Sequence, residues 1–170
     1  MAGYTIRTYG DPVLRQRSAP ITDIDSSVVQ LAADMLAPMR EVKGLGLAAP
    51  QVGVLKRLFV YEIPDDGRGP QCIVNPTIAE HRGEWEYEEG CLSVPELFFP
   101  IVRPNEVHIT GWDLEGREVS IEADELLGRL FQHELDHLDG VLLLEHLDDS
   151  TRKKALKELR KRQLRDLPLT

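Results

Sequence analysis

Cysteine is scarce in this chain, with Cys72 and Cys91 the only two in 170 residues. One bridge at most is available, and a chain of this length buries enough apolar surface without a staple, so a disulfide scaffold is excluded. A free thiol or a metal ligand is the better use of either cysteine. Long apolar runs are also missing: no stretch approaches the roughly 18 residues of a membrane span. The opening Met1-Ala2-Gly3-Tyr4-Thr5-Ile6-Arg7 has no apolar signal-peptide run, and Asp11 and Asp23 argue against a transit peptide. A reducing cytoplasm, with no membrane attachment, is therefore the expectation. Repeats and low-complexity segments are absent too. What is left, 42% apolar and 29% charged, is the composition of one globular domain.

The net charge of −9 is unevenly spread. Arg152, Lys153, Lys154, Lys157, Arg160, Lys161, Arg162 and Arg165 face a single acid, Glu158, so this segment carries +7 and the remainder −16. Asp149 or Ser150 can cap it as a helix, and Pro168 stands just past its end. It divides the chain into a catalytic body, 1–148, and an appended basic helix, 149–170. A solvated terminal helix is one reading, and a docking arm for an anionic partner such as RNA is the other. The acidic body argues against general nucleic-acid binding.

Ser26 to about Glu41 has Leu31, Met35, Leu36 and Met39 at helical spacing, with Pro38 expected to kink the helix or end it early. Leu58–Ile63 and Gln71–Asn75 read as strands. Glu106–Trp112 and Val119–Ala123 flank a turn at Asp113-Leu114-Glu115-Gly116, which predicts a β-hairpin. A long helix starts near Asp124. Strands joined by short turns, with helices at both ends, predict an α+β fold: antiparallel sheets around a central helix, an N-terminal helix and a C-terminal basic helix.

His133-Glu134-Leu135-Asp136-His137 carries the chemistry. Two imidazoles four residues apart on a helix share a face and can grip one metal ion, with the glutamate placed to handle the proton of a water held there. At about 100° per residue, Leu126, Leu127, Leu130, Phe131 and Leu138 fall on the same arc as His133, Glu134 and His137. Glu125, Arg129, Gln132, Asp136 and Asp139 are assigned to the solvated side. Core histidines hydrogen-bonded to backbone are the ordinary alternative, but a carboxylate and two imidazoles in an apolar stripe are costly without a partner.

Gly44-Leu45-Gly46-Leu47-Ala48-Ala49 fits a relaxed dinucleotide fingerprint but follows a helix instead of a strand, so that reading fails. A helix C-cap accounts for Gly44 but leaves Gly46 and Gln51 without a role, and the two glycines suit a substrate-binding rim. A catalytic metal needs a third ligand. Six residues past His137 stands Leu143, and about twenty past it Lys157, with Glu158 one residue late on the basic helix. Cys91, in Glu88-Glu89-Gly90-Cys91-Leu92-Ser93-Val94-Pro95, is taken as the ligand, and Cys72, in an apolar run, as a core thiol.

Three separated segments, Gly44-Leu45-Gly46-Leu47-Ala48-Ala49-Pro50-Gln51, Glu89-Gly90-Cys91-Leu92-Ser93 and Gln132-His133-Glu134-Leu135-Asp136-His137, together resemble the signature motifs of peptide deformylases, in that family's order and spacing. Gly10-Asp11-Pro12-Val13-Leu14-Arg15 is similar to its opening segment. The resemblance covers nearly the whole chain. It implies removal of the formyl group from the N-terminal methionine of nascent polypeptides, with release of formate. It implies Cys91, His133 and His137 around Fe²⁺, which Zn²⁺, Ni²⁺ or Co²⁺ can replace in a purified sample. Glu134 becomes the proton carrier, and the Gln51 amide and the Leu92 backbone N–H become donors to the developing oxyanion. Gly46 supplies main-chain bonds to an extended N-formylmethionyl peptide. Leu45, Leu126 and Leu130 line its side-chain pocket, and Glu89, in the same substrate region, pairs with an arginine matched by Arg103. Glu96-Leu97-Phe98-Phe99-Pro100 departs from members that carry an arginine there. A monomer, with the basic helix docking on the ribosome, completes the expectation. Two other readings stay open: a zinc endopeptidase using His133, His137 and Glu158, and a closed structural site of Cys72, Cys91, His133 and His137.

Overall fold

The computed structural model describes residues 3–167. Helix α1 spans Ser26–Glu41; its Asp25 cap accepts from the Ser27 and Val28 N–H groups, satisfying donors that the helix start leaves free. Val28, Leu31, Ala32, Met35 and Met39 form its buried face. Pro38 lies inside the helix, which runs on to Glu41, so of the two expected effects, a kink or an early end, the early end does not occur. The proline forfeits one helical bond, at about 3 kcal/mol, and the burial of this whole face outweighs that cost. A Schellman turn closes α1: Gly44 N–H reaches Met39 C=O at 2.9 Å and Lys43 N–H reaches Arg40 C=O at 3.0 Å. The left-handed residue is Lys43, with φ 56°, and not Gly44.

Strands β1 (Gly46–Ala48), β2 (Leu58–Tyr61), β3 (Gln71–Arg82), β6 (Glu106–Trp112) and β7 (Glu118–Asp124) form one antiparallel sheet in the order β1-β2-β3-β6-β7. Alternation along the strands assigns its two faces. Leu47, Leu58, Val60 and Val74 pack on α1, whereas Ala48, Phe59, Tyr61 and Ile73 pack on the central helix α2 (Glu125–Leu138). The predicted hairpin is β6–β7, with Asp113 Oδ1 accepting from the Glu115 and Arg117 N–H groups and Gly116 at φ 79°. Strand β3 runs well past Asn75. Its register slips between Val74 and Thr77, and this bulge accommodates Pro76 and the positive φ of Asn75.

Strands β4 (Trp85–Cys91) and β5 (Val94–Arg103), neither among the strands expected from the sequence, form a separate two-stranded sheet. Acids at Glu86, Glu88 and Glu89 and prolines at Pro95 and Pro100 hide it. A two-stranded sheet leaves both outer edges free, so neither proline breaks a ladder bond that the sheet needs. Helix α3 (Asp149–Arg165) is capped by Asp148, one residue before the expected position, and buries Ala155 and Leu159 in a cluster with Cys91, Val94, Ile101, Leu143 and Leu144. Pro168 lies outside the described residues. No described helix is long and apolar enough to cross a membrane.

Candidate metal centre

Helix α2 presents His133 and His137 one turn apart, with ring centroids 4.9 Å from each other. It ends in a Schellman turn at Gly140, whose φ is 73° and where a Cβ would meet the Arg15 carbonyl at 2.8 Å. Cys91 closes strand β4, and the two-residue link Leu92-Ser93 turns the chain into β5. The Cys91 Sγ lies 3.3 Å from His137 Nε2, which lies 3.2 Å from His133 Nε2. Among the described residues, Cys91, His133 and His137 are the one group of ligand-type side chains that converges so closely.

These spacings suit a cation. Ligand atoms about 2.0–2.3 Å from a tetrahedral metal stand about 3.3–3.6 Å apart. Burial pushes the Cys91 thiol up, but His137 and His133 beside it outweigh that and hold it well below the usual thiol range. Burial likewise lowers His133, yet Cys91 and Glu89 raise it well above the ordinary imidazole value. Thiolate and imidazoles together demand positive charge at their centre, and a divalent ion meets that demand. Glu134 Oε2 and His137 Nδ1 are buried with no hydrogen-bond partner in the structure. Burial raises the Glu134 carboxyl above its ordinary value, against the pull of both histidines. A carboxyl of this kind suits proton transfer.

Glu89 fixes His133. Its Oε1 accepts from His133 Nδ1 at 2.6 Å, leaving the other ring nitrogen for the metal. Arg103 forks onto both oxygens of Glu89, Nη2 at 2.8 Å and Nε at 3.0 Å, and Arg129 Nη1 adds a third charged contact at 2.7 Å. Burial pushes Glu89 up, but His133 and Arg103 hold it far below the usual carboxylate range. Glu89 is thus no wall of a substrate pocket: both oxygens are taken up behind the histidine. Arg103 also holds Asp136 at 2.9 Å, and Asp136 meets His146 at 2.8 Å.

Gln51 is buried on the turn Ala49–Val52. Its Oε1 accepts from Ala48 N–H at 2.9 Å, and Nε2 lies 3.1 Å from Ser93 Oγ and 4.0 Å from Cys91 Sγ. Gly46 lies against Glu134, where a Cβ would meet Oε1 at 2.8 Å; at Gly44 it would meet Leu92 Cδ1 at 2.7 Å. Within the chain, the missing side chains at Gly46 and Gly44 make room for Glu134 and Leu92. Leu45 and Leu130 pack in one cluster, while Leu126 is 40% exposed.

Two assignments on α2 are corrected. Arg129 and Gln132, expected in solvent, are buried. Gln132 donates to the Pro104 carbonyl at 2.9 Å, and Arg129 gains Glu89, the Trp85 carbonyl and the Trp85 and Tyr87 rings. A signal was available: Arg129 precedes His133 by four residues and lies within about 40° of it on the helix. Its charge masked that position. Ser93, the partner of Gln51, had no signal of its own. Glu158 pairs with Arg162 on α3 and Cys72 lies on β3, and neither is in the metal group. The ligand sets of the endopeptidase and of the closed structural site do not assemble.

A thiolate and two imidazoles beside a buried, unpartnered carboxyl, on an antiparallel α+β frame, define the site of a metal-dependent hydrolase. The family model for polypeptide deformylase matches residues 4–153. A peptide deformylase of Nitrosococcus oceani is 42% identical over 163 residues, covering 96% of this chain and 98% of that protein. One of Clostridium botulinum is 47% identical over 145 residues, covering 85% and 97%. The crystal structure of a Legionella pneumophila peptide deformylase superposes with a TM-score of 0.90 at 37% identity, covering 98% and 100%. The chain belongs to the polypeptide deformylase family, enzymes that remove the formyl group from the N-terminus of nascent polypeptides.

Proposed function

We propose that Cys91, His133 and His137 hold one divalent metal and that Glu134, Gln51 and Leu92 carry out deformylation beside it. The observation that supports this most directly is the convergence of the three ligands next to Glu134, whose Oε2 has no other partner. A bound divalent ion supplies Lewis acidity, lowering the pKa of a water and polarising the formyl oxygen. Glu134 takes the proton of the attacking water as its oxygen bonds to the formyl carbon. It returns a proton to nitrogen as the C–N bond breaks, so formate and a free N-terminus leave. Gln51 Nε2 keeps one N–H on Ser93 and turns the other toward the oxygen on which charge develops, assisted by the Leu92 N–H. Losing one such donor costs about 3 kcal/mol of barrier.

The peptide runs extended past Gly46, which gives main-chain affinity with little reading of sequence. Leu45, Leu126 and Leu130 receive the methionine side chain. Fe²⁺ is the resident ion in this reading, and Zn²⁺, Ni²⁺ or Co²⁺ replace it in a purified sample. Fe²⁺-loaded protein should release formate from N-formyl-Met-Ala-Ser under anaerobic conditions; a folded, loaded sample that releases none would sink the reading.

The protein acts as a cytoplasmic monomer, with residues 1–148 as the catalytic body and 149–170 as a ribosome-docking arm. Lys153, Lys154, Lys157, Arg160, Lys161 and Arg165 are exposed on α3, while Arg152 and Arg162 are tied to Asp149, Glu96 and Glu158. Truncation is a poor test, because Ala155 and Leu159 belong to the cluster that contains Cys91. Changing Lys153, Lys154, Lys157 and Lys161 to Gln should weaken ribosome co-sedimentation and leave peptide turnover intact. Unchanged co-sedimentation at physiological salt would remove the docking role.

A further inference from the structure

The N-terminal segment closes a ring of hydrogen bonds with the two segments that carry Gln51 and Leu92. Arg7 N–H donates to the Gln51 carbonyl at 2.7 Å, and Tyr9 N–H donates to the Ser93 carbonyl at 2.8 Å. Gln51 Nε2 donates to Ser93 Oγ at 3.1 Å and completes the ring across 42 residues of sequence. The members on the site side are out of water, Gln51 at 1% exposure and Ser93 at 0%. A buried carbonyl cannot trade its partner for solvent, so each of these bonds fixes a position.

The segment is anchored on both sides. Tyr4 and Ile6 pack against the α1 cluster that contains Ala49 and Val52, the ends of the Gln51 turn. Tyr9 packs against the cluster that contains Cys91 and Val94, which flank the Leu92-Ser93 link. Arg7 thus restrains the main chain at Gln51, while the bonds to Ala48 and Ser93 restrain its side-chain amide. Tyr9 restrains the carbonyl of the residue directly after Leu92. Three covalently consecutive residues therefore span the gap between the two parts of the core that supply one N–H each.

We propose that Arg7-Thr8-Tyr9 is a strap that sets the spacing between Gln51 and Leu92, so that both N–H groups aim at one oxygen. Arg7 and Tyr9 are positioning residues that act through their main-chain N–H groups. This rests on the deformylase reading and adds to it the part of the chain that holds the two donors in register. The side chains of the strap leave no motif for this role, because the working groups belong to the backbone. Preset donors need no reorganisation as charge develops, and that is what the strap supplies.

Proline removes a main-chain N–H and so cuts the ring at one bond. The test measures formate release from N-formyl-Met-Ala-Ser across substrate concentrations for wild type, Arg7→Pro, Gln51→Ala and the double variant, each with fold and metal content checked. Arg7→Pro should keep its metal and lower kcat about tenfold with KM within about twofold, since a misplaced donor weakens the transition state and not ground-state binding. In the Gln51→Ala background the same proline should cost less than about threefold, because the donor it positions is already gone. Thr5→Pro, two residues earlier and outside the ring, should keep kcat within about twofold of wild type. If Arg7→Pro does not fold, Ser93→Ala opens the ring at Oγ and runs the same cycle with the same expected outcome. A segment that only pins the N-terminus would leave kcat of the folded variant unchanged, or lower it by the same factor in both backgrounds. Either result, or an effect confined to KM, overturns the proposal alone. A folded, metal-loaded wild type that releases no formate overturns the deformylase reading with it.

Discussion

Replacing Gly46 by alanine adds a single methyl group, and its target is Glu134. The new Cβ would lie 2.8 Å from Oε1 and 3.2 Å from both Cδ and Cγ of Glu134. The first distance is well inside van der Waals contact, so the carboxyl must move by several tenths of an ångström. It has little room, because Glu134 is 4% exposed and Gly46 lies in β1, paired with Tyr61. Overpacking of this kind costs about 1–3 kcal/mol of stability, and in a chain of this length each kcal/mol lowers Tm by roughly 2–4 °C. The greater effect falls on the rate. A catalytic group misplaced by about 1 Å can lose on the order of a hundredfold, so a smaller shift should lower kcat about 10- to 100-fold. Formate release measured across substrate concentrations separates the causes. Displacement of Glu134 lowers kcat, whereas loss of main-chain binding alone raises KM. A folded, metal-loaded Gly46→Ala with wild-type kcat would refute the argument that this glycine makes room for the proton carrier.

Three further outcomes follow from the same geometry. Cys91→Ser should lose most of its bound metal by elemental analysis, since it removes the only thiolate of the group; full retention would mean another ligand set. Burial raises the Glu134 carboxyl above its ordinary 4.5, and the base must be ionised to act. The acid limb of kcat should therefore lie above pH 4.5, with turnover lost as pH falls, and Glu134→Gln should cut kcat at least about a hundredfold across the range; a limb at or below 4.5 contradicts this. Glu89 has the opposite sign, because its folded value is depressed. The stability it contributes is complete above its unfolded value near 4.5 and is lost as pH falls below that. The difference in urea midpoint between wild type and Glu89→Gln should thus shrink on acidification below pH 4.5.

The expectations that held rest on local patterns. α1 and β6 have the predicted bounds because their apolar residues repeat at 3.6 and at 2, and the hairpin turn follows from Asp113 and Gly116. Those that failed involve partners distant in sequence. Pro38 argues for an early helix end when read alone, and packing of the helix face overrides it. Arg129 reads as solvated until Glu89, 40 residues away, and two aromatic rings are brought to it.

By itself the sequence determined that His133, Glu134 and His137 stand on one face of a helix, because one turn is a local, short-range property. It also offered Cys91 as the ligand, by exclusion and by resemblance. Only the tertiary structure decided that Cys91, 46 residues before His137, comes within 3.3 Å of it. It likewise decided that Glu89 serves the histidine and that Arg129 lies inside. Whether a charge stays buried depends on compensating charges and hydrogen bonds, and the folded chain alone supplies them.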